Sequence, residues 1–249
     1  LENNFIEMKI HVYIIAWNEE KILPFTLDYY SSFAQKIFVF DNMSSDGSDE
    51  IYKKYDKVEV IKWGDLEKGH NDFSNKEIKS KEYRVRSRGI GVDWVITVDC
   101  DEIIYHENLL QVLSDYKKNS IDVPKIAGHD MFSDEFPIYD GELITNKIKF
   151  GSDIYEPMCK HVVFNPEIDI DFGFGAHHFH CEKCKISDTA EIKLLHYKFI
   201  GFKYVLDRYR KLSSRQSKFN TDNNLNTHYK DWNVLTYTDH LKKTKIKII

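Results

Sequence analysis

Along the first hundred residues the apolar positions fall in short continuous runs, separated by polar, turn-forming stretches. "KIHVYIIAW" is rich in β-branched and aromatic residues and lacks polar alternation, the pattern of a strand buried on both faces of a parallel sheet. "NEEKILPFTLDYYSSF" reads as a helix and "KIFVFDN" as a second buried strand. In the turn "MSSDGSD", Gly47 permits the bend and Asp46 or Ser48 caps the helix "DEIYKKY". "VEVIKW" is a third strand, Gly64 to Arg88 a loop and helix, and "DWVITV" a fourth strand. Such alternation predicts an α/β fold with a mostly parallel sheet flanked by helices.

The second half is less regular. "HENLLQVLSDYKK" predicts a helix, "VPKIAGHDMF" a strand, and Pro137 to His180 short strand-like pieces such as "KHVVFN" between turns. An amphipathic helix spans roughly Phe202 to Ser217, before the end "LKKTKIKII". No internal repeat or low-complexity linker divides the chain, so residues 8–249 are expected to form one domain with an elaborated C-terminal half. The patterned sequence starts just after Met8, and "LENNFIE" before it reads as an expression scar or frayed extension.

With 249 residues, 42% of them hydrophobic, the chain can bury a sizeable core. A formal charge of -5 and a pI near 6.1 argue against nucleic acid as the main partner. Four cysteines without a signal-peptide pattern point to a reduced, cytoplasmic protein. No apolar run approaches the roughly 20 residues of a membrane span.

The run "WVITVDCDEI" drives an apolar strand into Asp99, Asp101 and Glu102. Acids this close repel unless a cation or protons neutralise them. In extended geometry Asp99 and Asp101 point to one side and Cys100 to the other, and paired carboxylates suit Mg²⁺ or Mn²⁺. Ligands of open parallel sheets bind beyond the carboxyl ends of the strands. The first strand ends at Asn18, Glu19 and Glu20, the second at Asp41 and Asn42, and the fourth at the three acids; as neighbours they would share one cleft.

"IIAWNEEKILPFTLDYY", "VFDNMSSDGS" and "DWVITVDCDEI" resemble, in that order and spacing, the nucleotide-sugar half of family 2-like glycosyltransferases of GT-A fold. "LLHYKFIG" is similar to the His-Tyr pair of the bacterial group whose signature strand ends in Asp-x-Asp-Glu. The resemblance covers about Ile10 to Tyr105 well and His196 to Arg215 loosely. It implies a Rossmann-like nucleotide-sugar-binding half at 8–105 and an acceptor-side half at 106–249. The implied reaction moves a sugar from a nucleotide-diphosphate sugar to a hydroxyl acceptor, with inversion and with Mn²⁺ or Mg²⁺. By the same resemblance Asp41 contacts the base or ribose, and the backbone of Ala16 to Asn18 lines that pocket, with Glu19 and Asn42 alongside. Asp101 would be the direct metal ligand, Asp99 would lie nearer the ribose or a metal-bound water, and His196 would reach the metal or the diphosphate.

Other features stay open between two readings. Arg84 and Arg88, four apart on one helix, face either the phosphates or solvent. A base for the acceptor hydroxyl is offered by Asp130, Asp134 and Glu135 in "HDMFSDEFP" and by Glu156 in "DIYEPM". "GAHHFHCEKC" holds zinc-type ligands, but packed too tightly for a tetrahedron; it fits better as an acceptor-side loop with a histidine lining the cleft. Phe202, Tyr204 and Tyr209 beside Arg208, Arg210, Lys211 and Arg215, with the lysine-rich tail, suit either a solvated helix or peripheral contact with an anionic inner membrane face. The latter would fit a glycan or lipid-linked glycan acceptor in bacterial surface polysaccharide synthesis. Two other classes compete: a non-catalytic nucleotide- or carbohydrate-binding module, and a sugar nucleotidyltransferase, disfavoured because "AWNEEK" lacks the glycine-rich loop.

Overall fold

The computed structural model describes residues 8–64, 69–229 and 245–249. The segment read as an extension and residues 241–244 of the basic tail lie outside the described residues. In chain order the first half contains β1 (Ile10–Ala16), α1 (Leu23–Ser31), β2 (Lys36–Asp41), α2 (Ser48–Tyr52), β3 (Val58–Lys62), α3 (Asp72–Arg86), β4 (Trp94–Asp99) and β5 (Glu102–Tyr105). The second half adds α4 (Leu109–Lys118), β6 (Ile126–Ser133), α5 (Ile144–Lys147), β7 (Phe150–Gly151), β8 (Val163–Phe164), β9 (Asp171–Phe172) and β10 (Phe179–His180). It closes with β11 (Ile192–Ile200), α6 (Phe202–Ser214), α7 (Lys218–Asp222) and β12 (Ile246–Lys247).

The continuously apolar runs become the interior strands of a sheet ordered β3-β2-β1-β4-β8. Its first four strands are parallel, and β8 pairs antiparallel with β4 at the edge. Register aligns Ala16 with Asp41 and Ile15 with Asp99, so β1, β2 and β4 end side by side, as the sequence pattern requires.

A second sheet runs β12-β7-β6-β11-β5. The chain leaves the first sheet at Asp99, turns through Cys100 and Asp101, and enters the second at Glu102. The acidic motif is therefore the crossing between two sheets, not the continuation of a strand. Helix α1 holds this crossing by capping its backbone: Thr26 donates to the Cys100 carbonyl (2.5 Å), Tyr30 to that of Glu102 (3.0 Å) and Tyr29 to that of Ile104 (2.8 Å). These hydroxyls are buried, and each satisfies a carbonyl the turn would otherwise strand.

From β11 the chain reverses into α6 at Gly201, which has φ 76° and where an added Cβ would come within 2.4 Å of the Phe136 backbone nitrogen, so glycine is required. Helix α6 buries Tyr204, Val205 and Tyr209. Arg208 and Arg215 turn inward, leaving Arg210 and Lys211 exposed. The aromatic face, open in the sequence between a solvated helix and a membrane contact, packs on the protein's own core, because those rings follow the helical spacing of the buried stripe. No helix among the described residues is long and apolar enough to cross a membrane.

Candidate functional site

At the carboxyl edge of the first sheet lies a cleft of about 190 Å³, floored by the ends of β1 and β4 and walled by α3, α6, β11 and the 173–177 turn. The three acids diverge there. Asp99 accepts from Lys79 of α3 (2.7 Å) and lies 3.7 Å from Lys160. Asp101 accepts from Arg208 of α6 (2.7 Å) and stands 3.6 Å from His196 Nε2. Glu102, fully buried, accepts from Lys160 (2.5 Å) and from the Asp99 backbone nitrogen (3.0 Å). Each acid has its own cation, which answers the repulsion the sequence posed.

Arg208 also forks onto Glu19, at 2.6 and 3.1 Å from Oε1. Lys198, two residues beyond His196, also lines the cleft. Its ammonium lies over the rings of Tyr209 (5.2 Å) and Tyr229 (5.5 Å). Burial works to raise the Asp99 carboxyl, but Lys79 and Lys160 outweigh it and hold it well below the usual carboxylate range. In Asp101 burial is likewise overcome, by Arg208 and His196, and the pKa is lowered. In Glu19 burial wins over Arg208 and pushes the carboxyl up to about 7. Burial brings Lys198 down to about 8.

The donor chemistry fits a hard divalent cation. His196 Nδ1 lies 2.8 Å from the buried Asp130 carboxylate, which accepts its proton and leaves the lone pair on Nε2, facing Asp101. A carboxylate behind a ligating imidazole is the usual support of such a ligand. Strand register explains it: His196 sits opposite Asp130 on one side and Glu102 on the other. The residues that would hold the ion are Asp99, Asp101 and His196. As they lie, Lys79 and Arg208 occupy the carboxylates, and among the described residues no three such side chains stand assembled around one point.

No protein-family model and no curated protein matches the chain. Solved structures are similar to it at low identity. S. aureus TarS aligns over 85% of this chain and 41% of its own, at 15% identity and TM-score 0.47. S. aureus TarS 1-349 in complex with UDP aligns over 82% and 63%, at 16% identity and TM-score 0.48. Mycobacterium tuberculosis glucosyl-3-phosphoglycerate synthase in complex with Mn²⁺, UDP and glucosyl-3-phosphoglycerate aligns over 49% and 44%, at 19% identity and TM-score 0.34. The chain thus spans less than two thirds of the length of each of these proteins.

The site residues read from sequence separate into two groups. Ala16, Glu19, Asn42, Asp99, Asp101 and His196 all line the cleft. Asn18 lies just outside, in a left-handed conformation (φ 52°) that lets its side chain accept from the Ser45 nitrogen and fasten the second loop. Asp41 ends the second strand, yet it is wholly buried and fully engaged: Tyr52 (2.8 Å), the Ser44 nitrogen (2.7 Å) and Lys62 (3.0 Å) all donate to it. In this structure it braces the loop rather than facing the cleft.

Other residues do not come to the cleft. Arg84 and Arg88 do not share one helix face: α3 ends at Arg86, and Arg88 in the turn beyond it donates to the Pro166 carbonyl (2.9 Å) and pairs with Asp169 (2.9 Å), while Arg84 lies over Tyr83. The α3 face that meets the cleft carries Lys76 and Lys79 instead, and the helical phase of Arg84 differs from theirs. Asp134, Glu135 and Glu156 are exposed and do not line the cleft, with Asp134 beside Lys245 (3.4 Å) and Glu156 on the turn that carries the cleft residue Met158. Asp130 is buried behind His196 and cannot meet an acceptor. Of the histidines and cysteines in the histidine-cysteine stretch, His177 lines the cleft, beside Gly175 and Ala176; no zinc-type cluster forms among the described residues.

Sequence reasoning missed Lys79, Lys160 and Lys198, and left Arg208 between a solvated helix face and a membrane contact. A signal existed for two of them. Lys79 falls in the buried row Asp72, Lys79, Ser80, Tyr83 of α3, and Lys198 repeats the phase of His196 along β11.

Proposed function

We propose that this chain is a divalent-metal-dependent glycosyltransferase that moves a sugar from a nucleotide-diphosphate sugar to a hydroxyl acceptor, with inversion. The observation that carries the reading is the meeting of Asp99, Asp101 and the Asp130-braced His196 with Lys79, Lys160, Lys198 and Arg208 at the ends of β1 and β4. Around the acid crossing, Glu19, Asp99, Asp101 and Glu102 are matched by those four cations. A divalent cation and a nucleoside diphosphate enter together at nearly no net change in charge.

Trp17 and Trp63 border the cleft near Asn42 and offer flat faces to a base. Arg215, 4.1 Å from the centre of the Trp17 ring and donating to the Asn42 carbonyl (2.9 Å), fastens α6 to that end. When bound, the metal supplies Lewis-acid stabilisation of charge developing on the leaving diphosphate. Lys79, Lys160 and Arg208 add fixed donors in a site partly shielded from water, where such interactions are strengthened. The motif resemblance supports inversion and a surface-glycan or lipid-linked acceptor.

The test is calorimetric titration with UDP, GDP and dTDP, with and without Mn²⁺, beside hydrolysis of the matching sugar nucleotides and NMR of the released anomer. Metal-dependent binding with turnover to the inverted anomer is expected. Binding without turnover would make the chain a binding module; neither would refute the reading.

A further inference from the structure

The transferase reading leaves the proton of the attacking hydroxyl without a taker. Of the carboxylates offered by sequence, Asp134, Glu135 and Glu156 do not line the cleft and Asp130 is sealed behind His196; of those in the cleft, Glu19 and Asp101 accept from Arg208, Asp99 from Lys79, and Asp72 from Asn226 with His70 3.6 Å away. We propose that His177 is the general base of this site; the inference rests on that transferase reading.

His177 lines the cleft with Asp101 and Lys160. Its Nδ1 stands 2.5 Å from the Pro157 carbonyl oxygen. A carbonyl only accepts, so Nδ1 carries the proton and Nε2 keeps its lone pair. The hydrogen bond ties the ring to the 156–158 turn, whose Met158 also lines the cleft. On the other side the ring rests on Gly175, which has φ 65° and whose added Cβ would come within 2.6 Å of Nε2. The positive φ favours glycine here, and its missing side chain leaves room for the ring edge. The imidazole is thus held from two sides in one tautomer, as a base needs to be.

Electrostatics favour the neutral form. His177 is exposed, and its partial desolvation first, then the ammonium of Lys160, lower its pKa, while the Pro157 contact and the more distant Glu102 and Asp99 pull the other way. Helix α3, packed against the 174–176 turn, presents Lys76 and Lys79 to the same cleft and adds positive charge. At pH 7 the ring is a free base.

In the step itself the acceptor oxygen bonds to the anomeric carbon as its proton passes to Nε2. The bond from that carbon to the diphosphate oxygen breaks, its electron pair leaves with the nucleoside diphosphate, and the imidazolium later gives its proton to water. Water serves as acceptor in the test, since the natural one is unidentified. Hydrolysis of UDP-, GDP- and dTDP-glucose with Mn²⁺ is followed for the wild type, His177→Gln and His177→Ala, with calorimetric affinity for the corresponding diphosphate.

For the sugar nucleotide the wild type turns over, kcat should fall about 100-fold in both variants. Diphosphate affinity should stay within about twofold, and added imidazole should restore His177→Ala at least tenfold. The wild-type rate should drop at acid pH through a limb below the ordinary histidine value of 6.5, and the variants should lose that limb. An unchanged kcat in His177→Gln, or joint loss of affinity and rate with no imidazole rescue, refutes the base and leaves the transferase reading standing. A wild type that hydrolyses none of the three overturns both.

Discussion

Arg208 is the residue whose removal the structure marks as most damaging. Its guanidinium is the shared partner of Glu19 and Asp101, whose side chains are only 8% and 4% exposed. Arg208→Met keeps the length of the side chain and takes away the charge and the fork. Two buried carboxylates then face each other, with His196 still 3.6 Å from one of them. Removing one partner of a buried ion pair costs about 3–5 kcal/mol, because the other charge is left uncompensated. Two stranded acids place this variant in that range at pH 8.

Acidification should relieve part of the loss. Glu19 already sits at about 7, and removing Arg208 raises it further. Between those two values the folded variant carries a proton that the wild type lacks, so its stability rises relative to wild type as pH falls. One pH unit in that window corresponds to about 1.4 kcal/mol. Urea unfolding followed by circular dichroism at pH 8 and pH 7 should therefore give a gap of about 3–5 kcal/mol that narrows by about 1 kcal/mol. Arg208→Lys, which restores one charge without the fork, should recover part of it. A gap under about 1 kcal/mol at pH 8, or one that widens on acidification, would refute the shared-partner account.

Three further outcomes follow from the same geometry. Lys79→Met should weaken nucleoside diphosphate binding about tenfold by calorimetry, the worth of one charge-assisted contact. Asp41→Asn should lower unfolding free energy by about 2–3 kcal/mol, measured in urea, because three donors converge on that buried carboxylate. Arg84→Ala and Arg88→Ala should each leave diphosphate affinity within about twofold and lower stability by about 1 kcal/mol, since both side chains hold the 166–170 segment.

The first sheet was readable because nothing but local pattern is needed to specify it. Buried parallel strands are apolar without alternation, and "KIHVYIIAW", "KIFVFDN" and "DWVITV" fall within a residue or two of β1, β2 and β4. The second sheet was hidden for the opposite reason. β5 is four residues long and begins inside the acidic motif, so its charge masks its strand character. β11, buried along nearly its whole length, was noticed only as a His-Tyr pair. Taking the acidic motif as a straight strand end aimed Asp99 and Asp101 the same way; the turn at Cys100 and Asp101 sends them to different partners.

The acids of the site announced themselves because repulsion within four positions has no bland local remedy. Their cations come from three other parts of the chain, with Lys79 twenty residues away, Lys160 fifty-eight from Glu102 and Arg208 one hundred and seven from Asp101. A lone lysine on a helix face carries no local mark of the charge it will meet. What selects it is phase: Lys79 shares the buried row of α3 with Tyr83, and Arg208 lies one turn from Tyr204 on the inward side of α6. Charged residues seldom occupy a buried row unpaired. A cation in an otherwise interior helical phase, in a chain with an unexplained acid cluster at a strand end, therefore points to that cluster as its partner. Applied to α6, this rule assigns Arg208 to the cleft and leaves Arg210 and Lys211 to solvent, where the structure puts them.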